Sequence, residues 1–480
     1  MMRESRRTNL IIVGALFMIA GAFAVYATMV MRWFSAPAPT AAVNATGVSR
    51  ASAAEALSDA RREFRERLLD PRAHLRLSEA LWKAGRPVDA FYVMYAARQI
   101  FPDDAFRQAH AEVVLGVGGP AAAERARLRG LTDPATAVPI HAQVARDYPN
   151  SPEGRDSLDQ LSQLAMAPEN GPGGDAGRIA RTALEELHRA DPKDPEKLAA
   201  LAGADFGRGD VAQAQALATE AWNKYPGQAG AARILGMLAL RNRDIDGALK
   251  WLTAAWDRDP EDLYSAAKLA QIYEKRRADP EGALPFYLAL YRQNPDYAED
   301  EPAETRIRET LDHRRESLLK DAPVEGLGGR FKLDDASLRA EAAIRASVYK
   351  DPMWIDALGD LLDDDCEIVR RNADYALFQI ASKEPDAVNA RRAQWLGSEK
   401  PLVRIRALNL FADIDGMNAL PAVSTALRDP NAGVRVFAKL MVLDHYYKGR
   451  PEGAKLRSRY MAEEKDPEAL DFLKHFGSGR

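Results

Sequence analysis

The sequence is poor in the residues from which many functional sites are built. It has a single cysteine, Cys366, among 480 residues, so an internal disulfide framework is excluded. Its seven histidines are scattered without the spacing of metal ligands. Cys366 lies in DDDCEIVRR with no histidine nearby, which predicts a buried packing thiol rather than a nucleophile. We therefore expect no metal and no cofactor.

The chain also lacks a charge excess and catalytic motifs. Because 66 basic residues balance 70 acidic ones, no polycationic surface is expected, and nucleic acid is not a predicted partner. H-E-x-x-H, G-x-S-x-G, C-x-x-C and phosphate-loop signatures are missing, and the glycine stretches at 116–120 and 171–177 are interpreted as loops. The acidic residues 363–365 and Glu367 lack the spacing of a calcium loop and predict a solvated turn. The protein is therefore not expected to be an enzyme.

One long apolar run is present at residues 9–31, which carry no charge. Since about 20 helical residues cross a bilayer, this run predicts a transmembrane helix. Arg3, Arg6 and Arg7 precede it and Arg32 alone follows closely, which favours a cytoplasmic N-terminus and a body in the periplasm or outside the cytoplasm. The alternative is a cleaved signal peptide, for which Val25-Tyr26-Ala27 resembles a cleavage site.

The rest of the chain has the pattern of an all-α protein. Residues 35–52 are rich in alanine, proline, serine and threonine and predict a flexible tether. Beyond them no segment keeps the period-2 alternation of β-strands. We expect helical hairpins from residue 53 onward.

A repeat is visible around GALKWLTAAWDRDPED at 247–262. Pro226 and Pro260 are 34 residues apart, and Pro295 follows after 35. Ala248, Ala255 and Gly236 supply the small contact points that let antiparallel helices pack closely, as Ala214 and Ala221 do one repeat earlier. This pattern resembles the tetratricopeptide repeat at 195–228, 229–262 and 263–297, with a further copy at 71–104.

The repeating unit changes in the last third of the chain. Arg339, Arg370, Arg404 and Arg435 follow one another at spacings of 31, 34 and 31, each with an alanine three residues on. This resembles short HEAT repeats of the bilin-lyase-like kind, and the resemblance implies that Arg370, Arg404 and Arg435 form a ladder with aspartates between stacked units. At 398–401 the sequence Ser-Glu-Lys-Pro stands where the aspartate is expected.

These patterns predict an α-solenoid preceded by one transmembrane helix. Its predicted parts are residues 1–34 (tail and membrane helix), 35–52 (linker), 53–192 (degenerate tetratricopeptide-like region), 193–297 (tetratricopeptide repeats), 298–332 (linker helix region) and 333–480 (HEAT-like repeats). In the tetratricopeptide family the first helix of each pair lines the inner groove of the solenoid, and the resemblance implies the same here. The predicted partner-binding residues there are Arg233, Met237, Arg241, Tyr264, Gln271 and Lys275.

The predicted function is that of a membrane-anchored scaffold that binds proteins or peptides, with acidic or amphipathic segments as the expected ligands. The repeats would be presented in the periplasm for the assembly of an envelope complex. The alternatives are a periplasmic chaperone or biogenesis factor that holds client proteins, for example in envelope protein or cytochrome maturation, and a lyase-type enzyme.

Overall fold

The computed structural model of the chain describes residues 50–115, 134–148, 152–165, 174–298, 300–319, 327–448 and 450–475. Within these ranges the regular structure is helical and contains no strand, which confirms the all-α prediction. No helix in them has the length and apolarity that a bilayer crossing requires. The predicted membrane helix at 9–31 lies outside the described residues and stays a prediction.

The described chain begins with four helices. They are α1 (Arg50–Glu66), α2 (Pro71–Lys83), α3 (Pro87–Ile100) and α4 (Asp103–Val113). Helices α2 and α3 form the antiparallel pair predicted at 71–104. Their aromatic residues lie in the core, since Phe91 and Tyr92 are buried and Trp82 and Tyr95 pack against them.

The helices of residues 134–293 follow, and we call them the tetratricopeptide region after the repeats predicted there. Its helices are α5 (Pro134–Asp147), α6 (Pro152–Ala165), α7 (Gly174–Ala190), α8 (Pro195–Arg208), α9 (Val211–Lys224), α10 (Ala229–Arg241), α11 (Ile245–Arg258), α12 (Leu263–Gln271, extended by a π-helical turn, Ile272–Arg276) and α13 (Pro280–Gln293). The helical pairs α8/α9, α10/α11 and α12/α13 start at 195, 229 and 263, where the sequence placed its repeats.

The remaining helices form the C-terminal part. They are α14 (Ala303–Leu319), α15 (Leu327–Arg330), α16 (Ala336–Tyr349), α17 (Ile355–Leu361), α18 (Glu367–Ala381), α19 (Pro385–Asn389), α20 (Arg392–Leu396), α21 (Pro401–Asp415), α22 (Leu420–Ala426), α23 (Ala432–Met441, extended by a π-helical turn, Val442–Tyr446), α24 (Pro451–Glu463) and α25 (Pro467–His475). We call α16 to α23 the C-terminal array. Its helices α16, α18, α21 and α23 stack in sequence.

Aspartate caps set many of the helix starts. Asp70, Asp194 and Asp279 each precede a proline and accept a hydrogen bond from a backbone N–H in the first turn, over 2.9, 2.9 and 2.8 Å. The proline stands at the first helical position, where its missing N–H costs nothing. The Asp-Pro steps in the sequence therefore mark where one helix ends and the next begins.

Small residues let the tetratricopeptide helices approach closely, as the sequence predicted. A β-carbon on Gly236 of α10 would lie 2.7 Å from Leu252 Cγ of α11, so only glycine fits there. Ala248 and Ala255 on the facing side are completely buried. Between repeats the rings of Trp222 and Trp251 meet edge to face at 5.2 Å.

The N-terminal helical pair packs against the far end of the chain rather than in a linear row. Helix α3 contacts α13, α16 and α18. Arg292 of α13 donates to both carboxylate oxygens of Glu79 over 2.7 and 2.8 Å. On the other side, Asp89 of α3 is fully buried and accepts a hydrogen bond from Ala336 N over 2.6 Å. The pair thus joins the tetratricopeptide region to the C-terminal array.

Region 298–332 was predicted to be a linker helix region, but the hydrophobic core continues through it. Ile307 and Leu311 of α14 are fully buried in the same cluster as Leu57 and Phe411. Helix α14 packs on both α13 and α16. The change of repeat type in the sequence therefore does not separate two cores.

Arginines link successive units of the C-terminal array. Arg339 donates to both oxygens of Asp364 over 2.8 and 2.9 Å, and Arg404 to both oxygens of Asp429 over 2.8 and 2.7 Å. Arg435 pairs with Glu464 at 3.2 Å. These contacts form the rungs of an arginine ladder, while the assignment of the array to the HEAT family stays a prediction.

The ladder is interrupted at Arg370. Its guanidinium pairs with Glu367 of its own helix at 2.8 Å and donates to the Asp365 carbonyl over 3.0 Å. Arg370, Arg404 and Arg435 each donate to the backbone carbonyl six residues earlier, at Asp364, Ser398 and Asp429, so Ser398 stands where the neighbouring rungs have their aspartates. The departure seen in the sequence at 398–401 is thus matched by a missing rung.

The acidic residues 363–365 do not form the solvated turn that the sequence predicted. Asp363 and Asp365 are buried, with 9% and 6% of their surface exposed. Arg65 of α1 donates to Asp363 over 3.0 Å, and Arg61 donates to Asp365 over 2.8 Å. The expectation was wrong because α1, about three hundred residues earlier in the chain, packs across this turn. Cys366 beside it is fully buried, as predicted.

Candidate functional site

The first helices of the tetratricopeptide pairs lie side by side along one surface, which we call the groove. Helix α8 lies between α6 and α10 and packs on both. Arg233 of α10 donates to Asp159 of α6 over 2.9 Å, so its long side chain reaches across α8. Side chains of α6 and α10 therefore meet on this surface.

Arg233 is the central cation of this groove. Besides Asp159, it donates to Asp262 over 3.4 Å, and Asp262 in turn caps α12 by accepting from Tyr264 N over 3.1 Å. Burial opposes the charge on Arg233, but the attraction of the two carboxylates outweighs it and raises the pKa of the guanidinium. The predicted ligand-binding charge of Arg233 is thus already compensated within the chain.

Carboxylates outnumber cations around Arg233. The acidic side chains there are Asp159, Asp194, Glu196, Asp259, Glu261 and Asp262, and the cations are Arg155, Lys197, Arg233 and, near Glu261, Arg292. Arg155 and Glu196 are 3.8 Å apart, and Lys197 and Asp194 are 3.0 Å apart. We call this set the acidic groove.

Two carboxyl groups of the acidic groove have raised pKa values, mainly because they are buried. Burial raises the pKa of Glu196, and repulsion by Asp194 and Asp159 adds to the rise against the attraction of Arg155. Burial also raises the pKa of Asp259, with repulsion by Asp262 adding to it and a hydrogen bond from the Glu261 N–H opposing it. A positive charge placed between these carboxylates would lower both pKa values.

The other predicted residues of α10 have different surroundings. Met237 is half-buried and packs in a small cluster with Phe206 and Ile234. Arg241, at the end of α10, is exposed, and its guanidinium lies 6.0 Å from the centre of the Phe206 ring. Arg233 and Arg241 therefore lie at opposite ends of the helix.

The predicted residues on α12 and its extension are also divided between two ends. Tyr264 is 37% exposed beside Asp262, with the Lys268 ammonium 5.6 Å from its ring centre. Gln271 and Lys275 line a small cavity of about 20 Å³ near α14, where Lys275 pairs with Asp300. Of the six predicted residues, the structure brings Arg233 and Tyr264 together at the acidic groove.

The carboxylates of the groove were not predicted from the sequence. Asp159 lies in α6, in the region interpreted as degenerate, so it was not aligned with the later first helices. Glu196 and Asp259 stand next to the prolines at 195 and 260, and these prolines were interpreted only as markers of the repeats. The acidic residues that accompany these prolines at each repeat junction were the available signal.

Among the described residues, no group of three or more histidine, cysteine, aspartate or glutamate side chains is arranged to hold a metal ion.

Comparison with known families identifies part of this region. The tetratricopeptide repeat family model matches residues 206–272, from the end of α8 into the π-helical turn after α12. This matched segment therefore consists of tetratricopeptide repeats, and such folds generally act as binding scaffolds. No curated protein matches the chain significantly.

Solved structures with distant likeness include the human IFIT1 dimer with m7Gppp-AAAA. It is 13% identical and covers 85% of this chain and 95% of that chain, with a TM-score of 0.27. A monomeric IFIT1 mutant with Gppp-AAAA is 12% identical and covers 87% and 94%, with a TM-score of 0.23. At TM-scores this low, the likeness supports no statement about the fold or the ligands of this chain.

Proposed function

We propose that the protein is a membrane-anchored scaffold whose acidic groove holds a basic segment of another protein. The observation that carries this proposal is the charge of the groove, in which Arg233 is neutralised by Asp159 and Asp262 while Glu196 and Asp259 repel their neighbours. From the sequence we predicted acidic or amphipathic ligands, because the residues predicted to line the groove included cations and no carboxylates. The surrounding carboxylates favour lysine or arginine side chains instead.

The anchoring part of the proposal is supported by the sequence. The uncharged run at 9–31 has the length of a membrane span, and Arg3, Arg6 and Arg7 before it favour a body outside the cytoplasm. Attachment to a membrane raises the local concentration of partners that are themselves held there, so weak contacts become sufficient. The proposed role is the assembly of an envelope complex.

Photocrosslinking tests the groove. A photoreactive amino acid at Tyr264, beside the acidic groove, is expected to give one discrete adduct, whereas the same probe at Met417 of the C-terminal array should not give that adduct. Substituting Glu196→Gln with Asp259→Asn should reduce the adduct about fivefold or more, since two attractive charges are lost. Many weak adducts would favour the client-holding role, and equal adducts at both positions would contradict the proposal.

Membrane association is tested separately. The full chain is expected to float with membranes and to resist extraction at alkaline pH, and a reporter fused after Arg480 should show activity outside the cytoplasm. A chain recovered in the soluble fraction, or a reporter active in the cytoplasm, would contradict the anchoring and the topology, respectively.

A further inference from the structure

The turns that follow the stacked helices α16, α18, α21 and α23 of the C-terminal array lie along one edge. Lys350 Nζ donates to Ser382 Oγ over 3.4 Å, which joins the ends of α16 and α18. The Tyr446 hydroxyl donates to the Gly416 carbonyl over 3.2 Å, which joins the end of α21 to that of the π-helical turn after α23. Helices α18 and α21 pack side by side between these pairs. We call this row of turns, residues 348–353, 382–385, 416–419, 446–448 and 450, the turn edge.

Large apolar side chains are concentrated on the turn edge. Val348, Tyr349 and Met353, within six residues, are 73%, 42% and 63% exposed, and Met417 is 59% exposed. Nine large hydrophobic side chains are exposed in the described residues, and four of them are on this edge. Exposed apolar residues that occur singly need no explanation, whereas a group of them marks a contact surface.

Cations accompany these apolar groups. Lys383, Lys448 and Arg450 are exposed and Lys350 is half-buried. Of the acidic residues in the same turns, Asp351 already accepts a hydrogen bond from Met353 N over 2.9 Å. Glu384 remains exposed beside Lys383. The turn edge therefore combines apolar side chains with a net positive charge.

We propose that the turn edge rests on an anionic bilayer surface. This inference builds on the proposed membrane anchoring, because the 18 residues from 32 to 49 span at most about 60 Å and keep the body near the bilayer. Tyrosine, methionine and valine insert their apolar parts between lipid head groups, and lysine ammonium groups reach the lipid phosphates. The anchored chain would thus hold its C-terminal array at the membrane and leave the acidic groove open to a partner.

Fluorescence quenching of the full chain in vesicles tests this contact. The native thiol of Cys366 is fully buried, so an NBD fluorophore attached to Met353→Cys labels the turn edge specifically. The matched control is Leu333→Cys, which is also exposed. Leu333 lies just before the start of α16, whereas Met353 follows its end, and the two ends of this helix are about 20 Å apart. The vesicles contain phosphatidylcholine and phosphatidylglycerol, with a nitroxide near the lipid head group.

Quenching at position 353 is expected to exceed that at 333 about twofold or more and to fall when phosphatidylglycerol is omitted or when Lys383→Glu and Lys448→Glu are introduced. Equal quenching at both positions, in a chain that floats with the vesicles, would overturn the contact but not the anchoring. A chain that does not float would overturn both proposals. A blue shift at position 353 that grows with protein concentration without lipid would identify a second copy as the occupant and overturn the contact.

Discussion

Neighbouring helices meet through apolar contacts in both the tetratricopeptide region and the C-terminal array, but in the C-terminal array paired charges also join successive units. In the first, Gly236 admits Leu252, and the Trp222 and Trp251 rings fill the space between repeats. In the second, Arg339 and Arg404 each hold an aspartate through two hydrogen bonds. We therefore expect the stability of the tetratricopeptide region to depend mainly on side-chain volume at these contacts. The stability of the C-terminal array should depend also on side-chain charge.

The largest expected effect is the loss of a buried arginine. Arg339→Met should lower the free energy of unfolding by about 3–5 kcal/mol, because Asp364 would lose its bidentate partner and the buried Asp89 would keep only Arg86. Chemical denaturation followed by circular dichroism measures it. Arg404→Met is the matched variant. It should cost less, because Arg404 binds one carboxylate, Asp429, whereas Arg339 binds two. Equal, small losses would contradict a charge-based array.

Acid should weaken the C-terminal array at Glu464. Hydrogen bonds from Lys439 and Arg435 outweigh burial and lower the pKa of Glu464 to about 2, below its ordinary value. A lowered carboxylate pKa stabilises the folded state above about pH 4.5, and this stability is lost as the pH falls toward 2. Glu464→Gln should therefore cost about 2–3 kcal/mol at pH 7 and remove that part of the acid dependence. An unchanged pH profile would count against this rung.

A volume change should affect the tetratricopeptide array instead. Gly236→Ala places a β-carbon 2.7 Å from Leu252 Cγ and should cost about 1–2 kcal/mol through overpacking. Gly329→Ala is the matched control, because no atom lies within 4 Å of its added β-carbon. Thermal or chemical denaturation of the two variants compares them. If both are equally stable, close packing at Gly236 is not what holds the helices together.

The smallest stability effect is expected for the groove arginine. Arg233→Met should cost about 1 kcal/mol or less, since Asp159 is half exposed and Asp262 keeps its cap on α12. The same change makes the groove more negative and should increase the adduct formed from Tyr264. A loss as large as that of Arg339→Met, or a weaker adduct, would remove the distinction between the two arginines.

Local features of the fold could be predicted from the sequence. The repeat starts at 195, 229 and 263, the contact glycine at 236 and the buried thiol of Cys366 all depend on short-range pattern and residue size. The ladder contact expected for Arg370 was wrong, although the absence of an aspartate at 398–401 was visible in the sequence. These features lie within one repeat or between adjacent repeats, where sequence spacing translates directly into distance.

Long-range contacts could not be predicted in this way. The docking of α3 on α13 and α16 joins residues about 200 to 250 positions apart, and no spacing rule relates them. The same limit explains the wrong expectation for residues 363–365, whose carboxylates are neutralised by Arg61 and Arg65. At the groove, Arg233 and Tyr264 were identified from the repeat pattern. Their neighbour Asp159 was not, because it lies 74 residues before Arg233 in the chain and no spacing rule relates the two.

Hydrogen–deuterium exchange of Arg339→Met tests most directly the claim that the N-terminal pair joins the two arrays into one body. Faster exchange is predicted together in Pro87–Ile100, Pro280–Gln293 and Ala336–Tyr349, because Asp89 links the first of these helices to the last. Helices Ala229–Arg241 and Ile245–Arg258 should exchange as in the unmodified protein. Faster exchange confined to Ala336–Tyr349 would contradict the claim.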